Sequence, residues 1–77
     1  MTVTVHTKPS CVQCKATFRK LDDHGVTYDV VQLTADSAMA FKEQGFASAP
    51  IVITDTETWA GFRPDLINQH FPKENAA

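Results

Sequence analysis

Lys8-Pro9-Ser10-Cys11-Val12-Gln13-Cys14 is the stretch on which the fold turns. Before it, Met1 to His6 alternates, with Val3 and Val5 on one face and Thr2, Thr4 and His6 on the other, which is the period of a β-strand. After it, Cys14, Phe18 and Leu21 stand four and then three residues apart, so they share one apolar helical face. A strand, a loop over Thr7 to Ser10 and a helix from Cys11 or Val12 to Asp23 are expected, with Gly25 placed as a C-cap. The polar side of that helix carries Lys15, Arg19 and Asp22. Two cysteines three positions apart therefore fall at a helix N-terminus.

That position has chemical consequences. Cys11 meets the unpaired N–H groups and the positive end of the helix dipole, which favour a thiolate over a thiol. Such surroundings lower a thiol pKa from about 8.5 to roughly 3.5–7.5. Cys11 is thus the candidate nucleophile. Cys14, turned inward and within disulfide reach, is the candidate resolving thiol that displaces a partner from the mixed disulfide. The same spacing also suits a structural disulfide or half of a zinc site, but a single pair after a strand-to-helix signal points first to redox chemistry.

Composition sets the frame. Seventy-seven residues make one domain close to the minimum for a self-sufficient core, expected over 1–72 with a frayed tail over 73–77. The hydrophobic share of 43% and charged share of 21% are those of a globular chain and argue against disorder. No apolar run approaches a membrane span, and no basic segment leads an apolar one at the N-terminus, so the expected location is cytoplasmic. A CxxC there is held largely reduced, which suits a reductant better than a staple. With a net charge of −2 and no Lys or Arg run, nucleic acid is not an expected partner.

The remaining elements follow in order. Val26 to Leu33 reads as a second strand, making a parallel βαβ unit. Thr34 or Asp36 can cap a short helix with Ala38, Met39 and Phe41, ended by Gly45. Ile51-Val52-Ile53 has the apolar run of an inner strand, with Pro50 at its head where no ladder donor is needed. A turn over Asp55 to Glu57 leads to an antiparallel strand over Thr58 to Phe62. Pro64 then opens a last helix that buries Leu66, Ile67 and Phe71 and stops at Pro72. The order β-α-β-α-β-β-α implies an α/β domain with a four-stranded mixed sheet flanked by three helices.

Three stretches carry a family resemblance: Thr7 to Cys14, Ser48-Ala49-Pro50, and Trp59-Ala60-Gly61-Phe62-Arg63-Pro64-Asp65. With these, the chain resembles the glutaredoxin branch of the thioredoxin superfamily, and within it the NrdH redoxins. The resemblance implies a thioredoxin-like fold and a cis peptide bond before Pro50, leaving the Ala49 backbone free for a substrate strand. It implies a platform from Trp59 to Asp65, with Arg63 and Asp65 in a polar network and Trp59 and Phe62 either packed in the core or facing partners. Recognition would use Lys8, Val12, Gln13, Ala49, Gly61 and Phe62. The role implied is to take electrons from NADPH through thioredoxin reductase and hand them to class Ib ribonucleotide reductase, as a monomer without a bound cofactor. Two positions depart from the family pattern: His6 replaces a frequent aromatic residue, and Ala60 a frequent Ser whose hydroxyl would join the network.

Other readings remain open at this level. Lys8 stands where glutaredoxins hold a glutathione carboxylate, whereas Phe62 after Gly61 replaces a Gly-Gly pair and would crowd a tripeptide. A zinc site would draw on His6, His24 and His70, which are scattered singly, and a shared iron–sulfur cluster would need a second chain. Otherwise His24 suits a helix C-terminus, His70 a partly exposed last turn, and His6 a packed or solvated strand position. Thiol oxidation outside the cytoplasm would require a potential near DsbA's, about −120 mV, rather than thioredoxin's, about −270 mV.

Overall fold

The computed structural model describes residues 2–72. The elements are β1 (Thr4–Thr7), α1 (Val12–Asp23), β2 (Asp29–Gln32), α2 (Ala35–Glu43), β3 (Ile51–Ile53), β4 (Thr58–Ala60) and α3 (Pro64–His70). The sheet runs β2-β1-β3-β4, with β1 parallel to β2 and antiparallel to β3, and β3 antiparallel to β4. It is the mixed sheet and element order of a thioredoxin-like domain.

Alternation along the strands sorts the two faces. Val5, Val52 and Trp59 lie opposite one another across the sheet, and with Val3, Leu21, Leu66 and Ile67 they form the main core. That face packs α1 and α3. Leu21, Val5, Val52 and Ile67 are fully buried, each worth roughly 1.5–3 kcal/mol by transfer from water. Thr17 joins them at 0% exposure because its hydroxyl donates to the Gln13 carbonyl at 2.9 Å, which removes the cost of burying it. On the other face, His6 packs beneath α2 against Phe41, with ring centroids 4.9 Å apart.

Local chemistry explains most boundaries. Thr34 caps α2 rather than Asp36, in a reciprocal box: its hydroxyl accepts the Ser37 N–H at 3.0 Å and the Ser37 hydroxyl accepts the Thr34 N–H at 2.9 Å. Gly25, at φ +71, follows α1 and donates to the Asp22 carbonyl, as a C-terminal glycine should. Pro64 occupies the first turn of α3, where its missing donor is harmless.

Four expected boundaries are corrected. The first strand is Thr4–Thr7 rather than Met1 to His6, because pairing with β2 and β3 begins at Thr4; Met1 lies outside the described residues. The second shrinks from Val26–Leu33 to Asp29–Gln32, since β1 offers only four partners. The fourth ends at Ala60 rather than Phe62, because Gly61 turns to φ +84, outside the β region. Phe71 is only partly buried and forms the C-cap of α3. The tail over 73–77 lies outside the described residues.

Candidate functional site

Cys11 is the N-cap of α1, in extended conformation at φ −108 and ψ 108, and Cys14 sits in the first turn. The two are joined as a disulfide with Cα atoms 5.2 Å apart. The Cys14 N–H donates to Cys11 Sγ at 3.1 Å, and the Lys15 N–H donates to the Cys11 carbonyl at 3.2 Å. Sulfur thus holds the capping role that Ser or Asp usually fills. An N–H aimed at this sulfur will hold negative charge on it once the disulfide opens. No acidic residue lies in the first turn of α1, so the helix itself places no carboxylate against that charge. Ser10, immediately before Cys11, is held at φ 56, a left-handed conformation that costs a non-glycine residue roughly 1–2 kcal/mol.

Both cysteines are buried. Cys14 is 2% exposed and Cys11 8%, and both cluster with Ala49 against Phe18 and Leu33. Lys8, Ser10, Cys11, Val12, Gln13 and Ala49 line an open groove beside Cys11. Val12, on the same groove, is an apolar side chain at 80% exposure.

The other two motif stretches converge on this point. The Ala49–Pro50 peptide is cis, and Cys11 Sγ lies 3.8 Å from the Ala49 carbonyl oxygen. The Pro50 carbonyl accepts the Gly61 N–H at 2.8 Å. The Phe62 N–H donates to Gln13 Oε1 at 3.0 Å, closing the loop back onto the CxxC turn. Gly61 is favoured by its φ of +84, and a Cβ there would stand 3.1 Å from Gln13 Oε1, so the amide would have to give way by a few tenths of an ångström.

Exposure differs among the other residues of these stretches. Trp59 is 3% exposed within the main core, so it supports the β4–α3 loop from beneath; its indole N–H has no partner. Gly61, Ala49 and Pro50 are buried, and Phe62 is half-buried. Arg63 and Asp65 form an exposed two-bond pair, Nε to Oδ1 at 3.1 Å and Nη2 to Oδ2 at 2.9 Å. The Arg63 hydrogen bonds hold the Asp65 carboxyl below its ordinary value, and Asp65 in turn raises the guanidinium. Ala60 contributes no side-chain bond to this pair.

The histidines stand apart from the cysteines. His6 packs on Phe41 with a buried Nδ1 lacking a partner. His24 Nδ1–H donates to the Phe71 carbonyl, tying α1 to the end of α3. His70 bonds Glu57 at 2.7 Å and lies 5.4 Å from the Trp59 ring, a pairing that sequence spacing gave no reason to expect. Among the described residues no group of three or more His, Cys, Asp or Glu converges on a common point. Nor is any helix there long and apolar enough to cross a membrane.

Comparison with known proteins agrees with this geometry. The glutaredoxin family model matches residues 3–59. The glutaredoxin-like protein NrdH of Salmonella typhimurium is 39% identical over 79 aligned positions, spanning 100% of this chain and 98% of that one. Its namesake from Lactococcus lactis subsp. lactis is 34% identical over 64 positions, spanning 80% and 89%. The solved NrdH-redoxin of Escherichia coli, a glutaredoxin-like protein described as having a thioredoxin-like activity profile, superposes with a TM-score of 0.85 at 38% identity, over 94% of this chain and 97% of that one. The thioredoxin-like protein BC3987 gives a TM-score of 0.71 at 27% identity, over 87% and 96%. With the CxxC pair at the head of α1 and likeness of this extent, the chain belongs to the glutaredoxin family, as one of its NrdH glutaredoxin-like members.

Proposed function

We propose that this protein is a dithiol electron carrier that takes electrons from NADPH through thioredoxin reductase and delivers them to class Ib ribonucleotide reductase. The observation that carries the reading is the Cys11–Cys14 pair, with Cys11 sulfur as the cap of α1 and Cys14 buried behind it. The Cys11 thiolate attacks a partner disulfide, forming a mixed disulfide and releasing one partner thiolate. Cys14, deprotonated, then attacks Cys11 Sγ and releases the second. Two electrons and two protons pass to the partner, and Cys11–Cys14 is left oxidised. Attack by a reductase thiolate on Cys11, followed by the reductase's own resolving thiol, reverses the change.

Recognition in this reading uses Lys8, Val12, the upper edge of Ala49 and Phe62 around the groove, and needs no bound cofactor. The protein acts as a monomer in the cytoplasm, folded over residues 1–72. A glutathione-dependent activity is the second reading, favoured by Lys8 on the groove wall. It is disfavoured at the β4–α3 loop, where Gly61 and Phe62 already direct their N–H groups to Pro50 and Gln13.

The deciding experiment follows NADPH oxidation with a model disulfide, coupling the protein to thioredoxin reductase or to glutathione and its reductase. Turnover with thioredoxin reductase is expected; rapid turnover with glutathione alone contradicts the proposal. Cys11→Ser should lose all exchange, a fall of at least about a thousandfold. Cys14→Ser should accumulate mixed disulfides through Cys11.

A further inference from the structure

The three stretches around the dithiol form a closed circuit. Cys11 Sγ touches the Ala49 carbonyl; Ala49 is followed by Pro50, whose carbonyl accepts the Gly61 N–H; Gly61 is followed by Phe62, whose N–H donates to Gln13 Oε1. Gln13 lies between the two cysteines. Of the links in this circuit, the Phe62–Gln13 bond alone depends on a non-cysteine side chain. Gln13 is also held from behind, since its carbonyl accepts the buried Thr17 hydroxyl at 2.9 Å. The residue inside the CxxC turn is therefore fixed at both its side chain and its backbone, while remaining on the surface.

We propose that Gln13 is a positioning residue that closes this circuit and makes the dithiol more reducing. The Cys11–Cys14 disulfide fixes the backbone of the turn that carries Gln13, so less freedom remains to be lost when its amide reaches Phe62. The bond to Phe62 is accordingly stronger in the oxidised protein than in the dithiol. Coupling of this kind is reciprocal: whatever the disulfide contributes to the Gln13–Phe62 bond, the bond contributes to the disulfide. One net hydrogen bond corresponds to roughly a fivefold change in an equilibrium constant, which sets the upper size of the effect. Gln13, read from sequence as a partner contact, thus acts on the sulfurs from within the protein. The inference rests on Cys11 and Cys14 being a working redox pair; alkylation of the reduced wild type tests that separately.

The test compares reduction potentials of the wild type, Gln13→Met and Gln13→Glu. Methionine keeps length and apolar cover without an acceptor. Glutamate keeps the acceptor and adds a charge that disfavours the Cys11 thiolate. Gln13→Met should shift the dithiol–disulfide equilibrium towards the dithiol by up to about fivefold, roughly 20 mV towards the oxidising side. Gln13→Glu should fall at or below the wild-type potential. In the wild type, hydrogen exchange at the Phe62 amide should be slower in the oxidised than in the reduced protein. A Gln13→Met potential equal to wild type, or a Phe62 amide that exchanges at the same rate in both redox states, overturns the proposal.

Discussion

The two ends of α1 are built for opposite purposes. At its C-terminal end, His24 donates to the Phe71 carbonyl, Gly25 closes the turn, and Tyr28 bonds Asp22 while stacking on Phe18 with centroids 5.6 Å apart. Lys20 in the last turn complements the negative end of the dipole. At its N-terminal end the cap is the Cys11 sulfur, no carboxylate complements the first turn, the preceding serine is in a left-handed conformation, and Val12 is bare. One helix is tied to α3 and to Tyr28 at its far end and carries the cysteine pair at its near end.

The largest break in this contrast comes from the anchor. Leu21→Ala removes a fully buried side chain from the core at the anchored end and should cost about 2–5 kcal/mol in denaturant unfolding. In protein that remains folded, Cys11 should alkylate at close to its wild-type rate, because the sulfur's surroundings at the other end are untouched. Equal losses of stability and of thiol reactivity would show that the two ends do not act separately.

Alkali tests the anchored end next. Burial, then the hydrogen bond and charge of Asp22, push the Tyr28 phenol up to about 12. Folding thus favours the neutral phenol, so its contribution is whole below the unfolded value of about 10 and fades as pH climbs from about 10 towards 12. Tyr28 is the sole tyrosine, so ultraviolet absorbance follows it directly. A midpoint of about 12 in the folded protein is expected, and one near 10 would show that the lock is open.

A smaller change sharpens the reactive end. Val12→Asp places a carboxylate in the first turn, where it competes with the thiolate for the same N–H groups. A dipole interaction of roughly 0.3–1 kcal/mol predicts a two- to fivefold fall in the Cys11 alkylation rate at neutral pH, with little change in thermal stability. An unchanged rate would mean that the empty first turn has no bearing on the sulfur.

Sequence revealed the reactive end better than the anchored one. The CxxC and the Pro50 strand head are marked by residue types with narrow physical uses, and local spacing is enough to place them, whereas spacing alone puts Gly61 inside a strand that ends at Ala60. Element order was legible for the same reason. What escaped notice depends on contacts between residues far apart in the chain: Gln13 with Phe62, His24 with Phe71, and His70 with Glu57. Gln13 illustrates the limit, because an exposed glutamine in a helix gives no sign of which distant amide it will meet. Trp59 shows a second limit, since a large aromatic residue in a motif reads equally as core or as contact until its exposure of 3% is seen. Strand ends slipped by a few residues because pairing depends on the length of the neighbouring strand, which no single stretch encodes.

The most direct trial of the central claim is a pH series of alkylation on the fully reduced protein, with mass mapping of the modified cysteine. Cys11 should be labelled first, with an apparent pKa below the ordinary thiol value of about 8.5, while Cys14 stays protected. Labelling of Cys14 before Cys11, or a Cys11 that titrates like free cysteine, would contradict the account.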